Sequence, residues 1–301
     1  MRANFGRINE RETAMKNNFG TNAVFIGLGE ARELDLNRVE FCLGGMDAWE
    51  SKAERIMRDM KLAQEASVAY SIHLPIFIPD WFGHYFLDAF YLDPDPAMRE
   101  LSFSLLEHNL GRLTPSKCEY FVIHFPGRYE RADYEAGTFK QILKDALARL
   151  DAMAKSHGAL LLLEYFGSNE SFYEIEDWKR EIGKYASLGI LLDTGHLYFA
   201  SVVRKFDFME NLRLLSGAAD AFHLWTTKGR EAYCSNSFYV KYRHIPMRSG
   251  QRPKDGWAFD SDEAMKVISS AKKPANMEAS CEYGGKEYIR EGIESLKKFY
   301  L

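Results

Sequence analysis

Residues 189–196 read Gly-Ile-Leu-Leu-Asp-Thr-Gly-His, three bulky aliphatics followed by a carboxylate, Asp193, and three residues later an imidazole, His196. Such an apolar run forms a strand buried on both faces, as a parallel sheet demands. Ending it in Asp and His sends two groups suited to metal ligation or proton transfer out of one strand tip. The simpler alternative is that Asp193 caps a helix and His196 is incidental. The pattern recurs, however. His73 ends an apolar segment at 68–73, His124 one at 120–124 and Glu164 one at 159–164, while His223 lies in 221–225 and Glu278 in 276–281. His244 lies in a long loop beside them. Burying so many ionisable groups is unfavourable unless they pair or bind a metal. Mixed carboxylate and imidazole ligands suit Zn²⁺, Mn²⁺, Co²⁺ or Fe²⁺ better than Ca²⁺.

The elements that must position these residues alternate. Strands are expected at 23–27, 39–43, 68–73, 120–124, 159–164, 189–193, 221–225 and 276–281. Helical periodicity marks a stripe from Trp49 to Ala63, with Asp47 as its cap, and then 97–110, 139–154, 172–186, 206–215, 261–271 (capped by Asp260) and 286–300. Strand–helix alternation implies right-handed crossovers and a parallel sheet, and eight units close into a barrel. The expected fold class is therefore α/β, a (β/α)8 TIM barrel in a single domain: residues 1–21 form an N-terminal arm and 22–301 the barrel. The connection at 29–37 is too short for a full helix with loops, and the loop at 226–259 is far longer than usual.

The chain has 301 residues, 39 Lys plus Arg against 43 Asp plus Glu, and a net charge of −4, which disfavours a nucleic-acid partner. Cys42, Cys118, Cys234 and Cys281 are widely spaced, as expected for reduced thiols in a cytoplasmic protein. No apolar run reaches the roughly 20 residues that span a bilayer, and residues 1–20 lack a hydrophobic signal segment.

His73, His124, the Leu-Leu-Leu-Glu164 strand, Asp193-Thr-Gly-His196, Phe-His223-Leu and Glu278 together resemble the xylose isomerase-like barrel superfamily of sugar isomerases, ketose 3-epimerases and endonuclease IV. The resemblance runs from about residue 22 to the end. In epimerase-like members it implies one divalent metal held by Glu164, Asp193, His223 and Glu278. Glu164 and Glu278 would then be the catalytic pair that moves a proton alpha to a carbonyl through an enediolate. His196 and Glu170 match substrate contacts, Lys228 and Arg230 approximate a basic residue after His223, and His73, His124 and His244 complete the expected substrate-binding set. The endonuclease IV reading instead uses three zinc ions for phosphodiester hydrolysis, drawing His73, His124, His196 and His244 into the metal set. It also needs an Asp where Tyr242 stands. A third reading is a barrel that binds metal or sugar without turnover. The sugar isomerase or epimerase reading is favoured, with a divalent metal cofactor (Zn, Mn or Co, one to three ions), a small carbohydrate substrate and room for a homo-oligomer.

Lesser signals remain. The aromatic loop at 77–91 reads first as hydrophobic cover or dimer contact, and second as a sugar-stacking lid. Glu282 competes with Glu278 for the last ligand position, and Glu40 reads as a paired structural acid more than a mouth residue. Arg248, Arg252 and Lys254 read as a solvated face, with the alternative of gripping a substrate phosphate.

Overall fold

In the computed structural model the described residues are 18–24, 26–43, 49–85, 89–126, 134–135, 137–167, 169–229, 244–278 and 284–300, the side chains of 49–51 excepted. Eight parallel strands pair in sequence order and close on themselves: β1 (Phe19–Asn22), β2 (Arg38–Phe41), β3 (Ala69–His73), β4 (Phe121–Phe125), β5 (Leu161–Tyr165), β6 (Leu188–Asp193), β7 (Ala221–Leu224) and β8 (Ala275–Met277). The helices are α1 (Leu28–Glu33), α2 (Trp49–Glu65), α3 (Pro96–Leu113), α4 (Phe139–Ser156), α5 (Ile175–Ile182), α6 (Thr194–Arg204), α7 (Phe208–Ser216), α8 (Ser261–Ser270) and α9 (Gly285–Lys297). The expected (β/α)8 barrel is the observed fold. None of these helices is long and apolar enough to cross a membrane.

Successive strand residues face opposite sides, and the register shows which face is which. Leu161, Leu163, Ile190, Leu192, Phe222 and Leu224 point outward into the large core shared with the helices. Tyr120, Val122, Leu162, Leu191 and Ala221 form a separate small cluster inside the barrel. Two residues further along four of these strands come His124, Glu164, Asp193 and His223. The period of two that buries an aliphatic plug therefore delivers the chemical groups to the inner rim at the C-terminal end.

Three expectations need correction. The first strand is Phe19–Asn22 rather than 23–27, because Thr21 pairs with Val39 and Phe19 with Ala275, while Ala23 and Val24 form the turn that follows. The expected gap after β6 holds α6, which begins at once because Asp193 accepts the His196 backbone N–H. The short 29–37 connection holds a six-residue helix, α1. Asp260 does cap α8, accepting from the backbone of Asp262 and Glu263. Asp47, Arg230, Tyr242, Cys234, Cys281 and Glu282 lie outside the described residues.

The start of the barrel depends on one small residue. A Cβ on Gly20 would sit 2.7 Å from the Arg38 carbonyl oxygen, on the strand paired with β1, and 2.7 Å from Oδ1 of the buried Asn276 side chain, in register with Gly20 on β8. Gly20→Ala is expected to destabilise the protein by about 1–3 kcal/mol, read from the urea unfolding midpoint; an unchanged midpoint would show that the ladder gives way there.

Candidate metal centre

Glu164 sits at the middle of the inner rim, fully buried. Its Oε2 lies 3.0 Å from His73 Nε2 and 3.2 Å from His124 Nε2. Its Oε1 lies 3.3 Å from His223 Nδ1 and 3.6 Å from His196 Nε2. His223 Nδ1 in turn faces Asp193 Oδ2 at 3.9 Å and Glu278 Oε2 at 3.7 Å, and His244 Nε2 reaches Glu278 Oε2 at 3.6 Å. Two donor sets with metal-ligand spacing overlap on Glu164. One is Glu164, Asp193, His223 and Glu278; the other is His73, His124 and Glu164, with the atoms of each set within 4.8 Å of one another.

Asp193 performs both roles that its sequence context suggested. Its Oδ1 caps α6 by accepting the His196 N–H at 2.7 Å, and its Oδ2 accepts the Trp225 indole N–H at 2.6 Å while facing the cluster. Thr194 braces the same junction, donating to the Trp225 carbonyl at 2.7 Å and accepting the Trp225 backbone N–H at 3.0 Å. Gly195 is required beside it, since a Cβ there would lie 2.2 Å from the Trp225 ring. The Asp-Thr-Gly-His stretch thus docks the start of a helix against one tryptophan and aims a carboxylate and an imidazole into the mouth.

The electrostatics are those of a site short of positive charge. Burial pushes the Asp193 carboxyl well above its ordinary range, with Glu164 and Glu278 adding to the effect. Glu278 is raised by burial and by neighbouring Glu164. Burial would raise Glu164 too, but hydrogen bonds from His223 and His73, with the charge of His223, outweigh it and hold the carboxyl well below the usual range. Burial would lower His223, yet Glu40 and Glu278 hold its imidazolium form far above the ordinary histidine range. Glu278 Oε2 is buried with no hydrogen-bond donor among the described residues. Three carboxylates converging in a water-poor site with an unpartnered oxygen fit a divalent cation, because like charges at this spacing repel unless a cation lies among them.

Other expected site residues are placed differently. Glu170 is 55% exposed and faces Arg204 at 3.8 Å. The Lys228 ammonium lies 3.5 Å from the centroid of the Trp257 ring. Arg248 pairs with Glu291 on α9 at 2.6 Å and lies over Tyr288, and Arg252 faces Asp260, so neither is aimed at the rim. In the aromatic loop, Phe82, Phe90 and Tyr91 are buried while Trp81 and Tyr85 are exposed, which suits cover better than a lid. Two residues carry more than their sequence signal indicated. Glu40 points inward, with Oε1 2.7 Å from His223 Nε2. Asn22, in register with Glu40, is buried with neither amide atom hydrogen-bonded.

His196 supplies a test of this electrostatic picture. Burial, reinforced by the charges of His223 and His73, outweighs the pull of Glu164 and lowers it from 6.5 to about 4. The folded protein holds the neutral ring, whereas the unfolded chain takes up a proton below 6.5. This residue's contribution is therefore fully present above the unfolded value and is lost as pH falls from 6.5 towards about 4. In metal-free protein, wild type should lose stability relative to His196→Asn across that window, by up to about 1.4 kcal/mol per pH unit. Parallel curves of unfolding free energy against pH would contradict the assignment.

Solved structures with the same architecture include 3-keto-D-glucoside 4-epimerase YcjR from E. coli, with 14% identity, a TM-score of 0.61 and coverage of 93% of this chain and 99% of that one. D-psicose 3-epimerase crystallised with D-fructose matches at 12% identity and a TM-score of 0.60, covering 93% and 96%. The IOLI protein with a bound zinc atom matches at 15% and 0.61, covering 93% and 95%. At these identities the likeness establishes the fold alone. No curated protein matches the sequence significantly. The xylose isomerase-like TIM barrel family matches residues 28–299, nearly the whole chain, and the protein belongs to that family.

Proposed function

We propose that the protein is a divalent-metal-dependent isomerase or epimerase of a sugar or sugar phosphate, acting by proton transfer at the carbon next to a carbonyl. One observation carries this reading: Glu164 and Glu278 stand at one barrel mouth with Asp193 and His223 on the two intervening strands, their donor atoms within 4.8 Å. The fold neighbours that are epimerases of D-psicose and of a 3-keto-D-glucoside support a carbohydrate carbonyl as substrate.

When bound to Glu164, Asp193, His223 and Glu278, a divalent ion supplies the Lewis acidity that polarises such a carbonyl. The chain's own groups do the rest. Glu164 and Glu278 are pushed in opposite directions, down and up respectively, and carboxyls separated in this way suit opposite ends of a proton transfer. One carboxylate takes the proton from carbon, leaving an enediolate, and the other returns a proton to carbon. His124 and His196 are held neutral, lowered to about 3 and about 4 by burial, so each ring has one donor and one acceptor nitrogen for sugar hydroxyls. The unpartnered amide of Asn22 has the same dual capacity. Phe166 and Trp225 pack against His196, with ring centroids at 4.1 and 5.6 Å, and screen this wall from water.

A second reading has its own support. His73, His124 and Glu164 would hold a further ion beside the first, and more than one ion would supply the clamp on a phosphodiester that a zinc hydrolase of the endonuclease IV type uses. The acidic balance and Tyr242 at the position of a further carboxylate ligand weigh against it.

Incubation with a panel of ketoses and ketose phosphates in heavy water, with Mn²⁺, Co²⁺ or Zn²⁺ present, is expected to place deuterium next to the carbonyl. Glu164→Gln and Glu278→Gln should each slow that exchange by about 10²–10⁴-fold while leaving the fold intact. Cleavage of an abasic-site duplex without any exchange would move the protein to the hydrolase reading.

A further inference from the structure

We propose that Glu40, on β2, is a positioning residue that fixes the ring of His223 with Nε2 protonated, so that Nδ1 is the atom offered to the metal. This rests on the reading of Glu164, Asp193, His223 and Glu278 as metal ligands. Glu40 itself, and Ser71 and Asn276 beneath it, belong to neither donor set.

His223 Nε2 and Glu40 Oε1 are 2.7 Å apart, with both side chains almost wholly buried. Two lone pairs cannot be held so close without water between them, so a proton lies on Nε2. Nε2 makes no hydrogen bond among the described residues, and the contact acts as a charge pairing that orients the ring. The opposite nitrogen, Nδ1, is the one that faces Glu164, Asp193 and Glu278 at 3.3, 3.9 and 3.7 Å. A ring fixed the other way would aim a protonated nitrogen at the cation and a lone pair at a carboxylate. Either contact is repulsive. Metal-binding imidazoles generally hand their second N–H to a fixed acceptor, which sets the tautomer and sharpens affinity.

Glu40 is itself held from below. Its Oε2 accepts from Ser71 Oγ at 2.8 Å and from the Asn276 amide at 3.4 Å. That amide also lies 3.3 Å from the Tyr120 hydroxyl, which accepts from Arg38 at 3.4 Å, and Arg38 pairs with Glu119. Side chains from β2, β3 and β8, with Tyr120 just before β4, thus form a polar floor across the inside of the barrel. A purely structural floor would need no carboxylate, since a neutral amide satisfies Ser71 and Asn276 equally well. The charge bears first on His223, in contact at 2.7 Å, and also on His73 and the buried Arg38.

The test is zinc affinity measured by chelator competition, together with the nitrogen-15 spectrum of the His223 ring in zinc-loaded protein. Glu40→Gln keeps the shape and an acceptor oxygen while removing the charge, and is expected to weaken zinc binding about 10–100-fold and to speed solvent exchange of the Nε2 proton. Ser71→Ala, which loosens Glu40 without altering it, should give the same effects in smaller measure, and it keeps the test open should Glu40→Gln fold poorly. Wild-type affinity and an unchanged His223 spectrum in a folded variant would overturn the role of Glu40 alone. Absence of zinc binding by the wild-type protein would instead overturn the metal reading on which it rests.

Discussion

The structure depends on how negative charge is tolerated inside the barrel mouth. Glu164, Asp193 and Glu278 converge on one point, with Glu40 a single imidazole away. Buried carboxylates repel one another strongly unless protonated, paired or bound to a cation. The chain uses all of its local means of compensation. Four imidazoles surround Glu164, an indole and a helix N-terminus hold Asp193, and the carboxyls of Asp193 and Glu278 are raised towards protonation. Glu278 Oε2 is still left without a donor among the described residues. A divalent cation held there would offset the remaining imbalance, which is why the cluster fits a metal site better than a satisfied polar core.

The barrel makes such a cluster possible because its strands stagger side chains in layers. The aliphatic plug of Val122, Leu162, Leu191 and Ala221 lies one inward step below His124, Glu164, Asp193 and His223. Residues that would be intolerable in a continuous core become the rim of a cavity whose floor is dry on one side and polar on the other. The polar half, from Glu40 to Arg38, lies on the strands around β1 and β8, where the aliphatic plug is absent. That asymmetry leaves one side of the rim braced by packing and the other by hydrogen bonds.

Much of this was legible in the sequence because buried parallel strands are written as unbroken aliphatic runs. Leu161–Tyr165 and Leu188–Asp193 stand out for that reason, and a carboxylate at the end of such a run is conspicuous. Phe19–Asn22, with the sequence Phe-Gly-Thr-Asn, has no aliphatic run at all. Its identity as a strand comes from ladder pairing with β2 and β8 and from the room that Gly20 leaves for Arg38 and Asn276, none of which is local in sequence. Glu40 was legible only in part: the sequence marks it as a paired structural acid, but its partner His223 is found only when the barrel closes and turns that face inward. The Arg-Val-Glu-Phe alternation, with both polar residues on one face, was the available signal. Glu170 and Arg248 show what spacing and charge leave out: Arg204 faces Glu170 at 3.8 Å and Glu291 pairs with Arg248 at 2.6 Å, partners that are distant in sequence.

The central claim is that Glu164, Asp193, His223 and Glu278 hold a divalent ion, and metal content per chain, measured by elemental analysis after exhaustive dialysis, addresses it most directly. The account predicts about one divalent ion per chain, one copy of this ligand set being able to hold one. Two or three zinc ions would contradict the single-ion isomerase or epimerase reading in favour of hydrolysis, and no retained ion, even after prior incubation with excess Zn²⁺ or Mn²⁺, would contradict the metal centre itself.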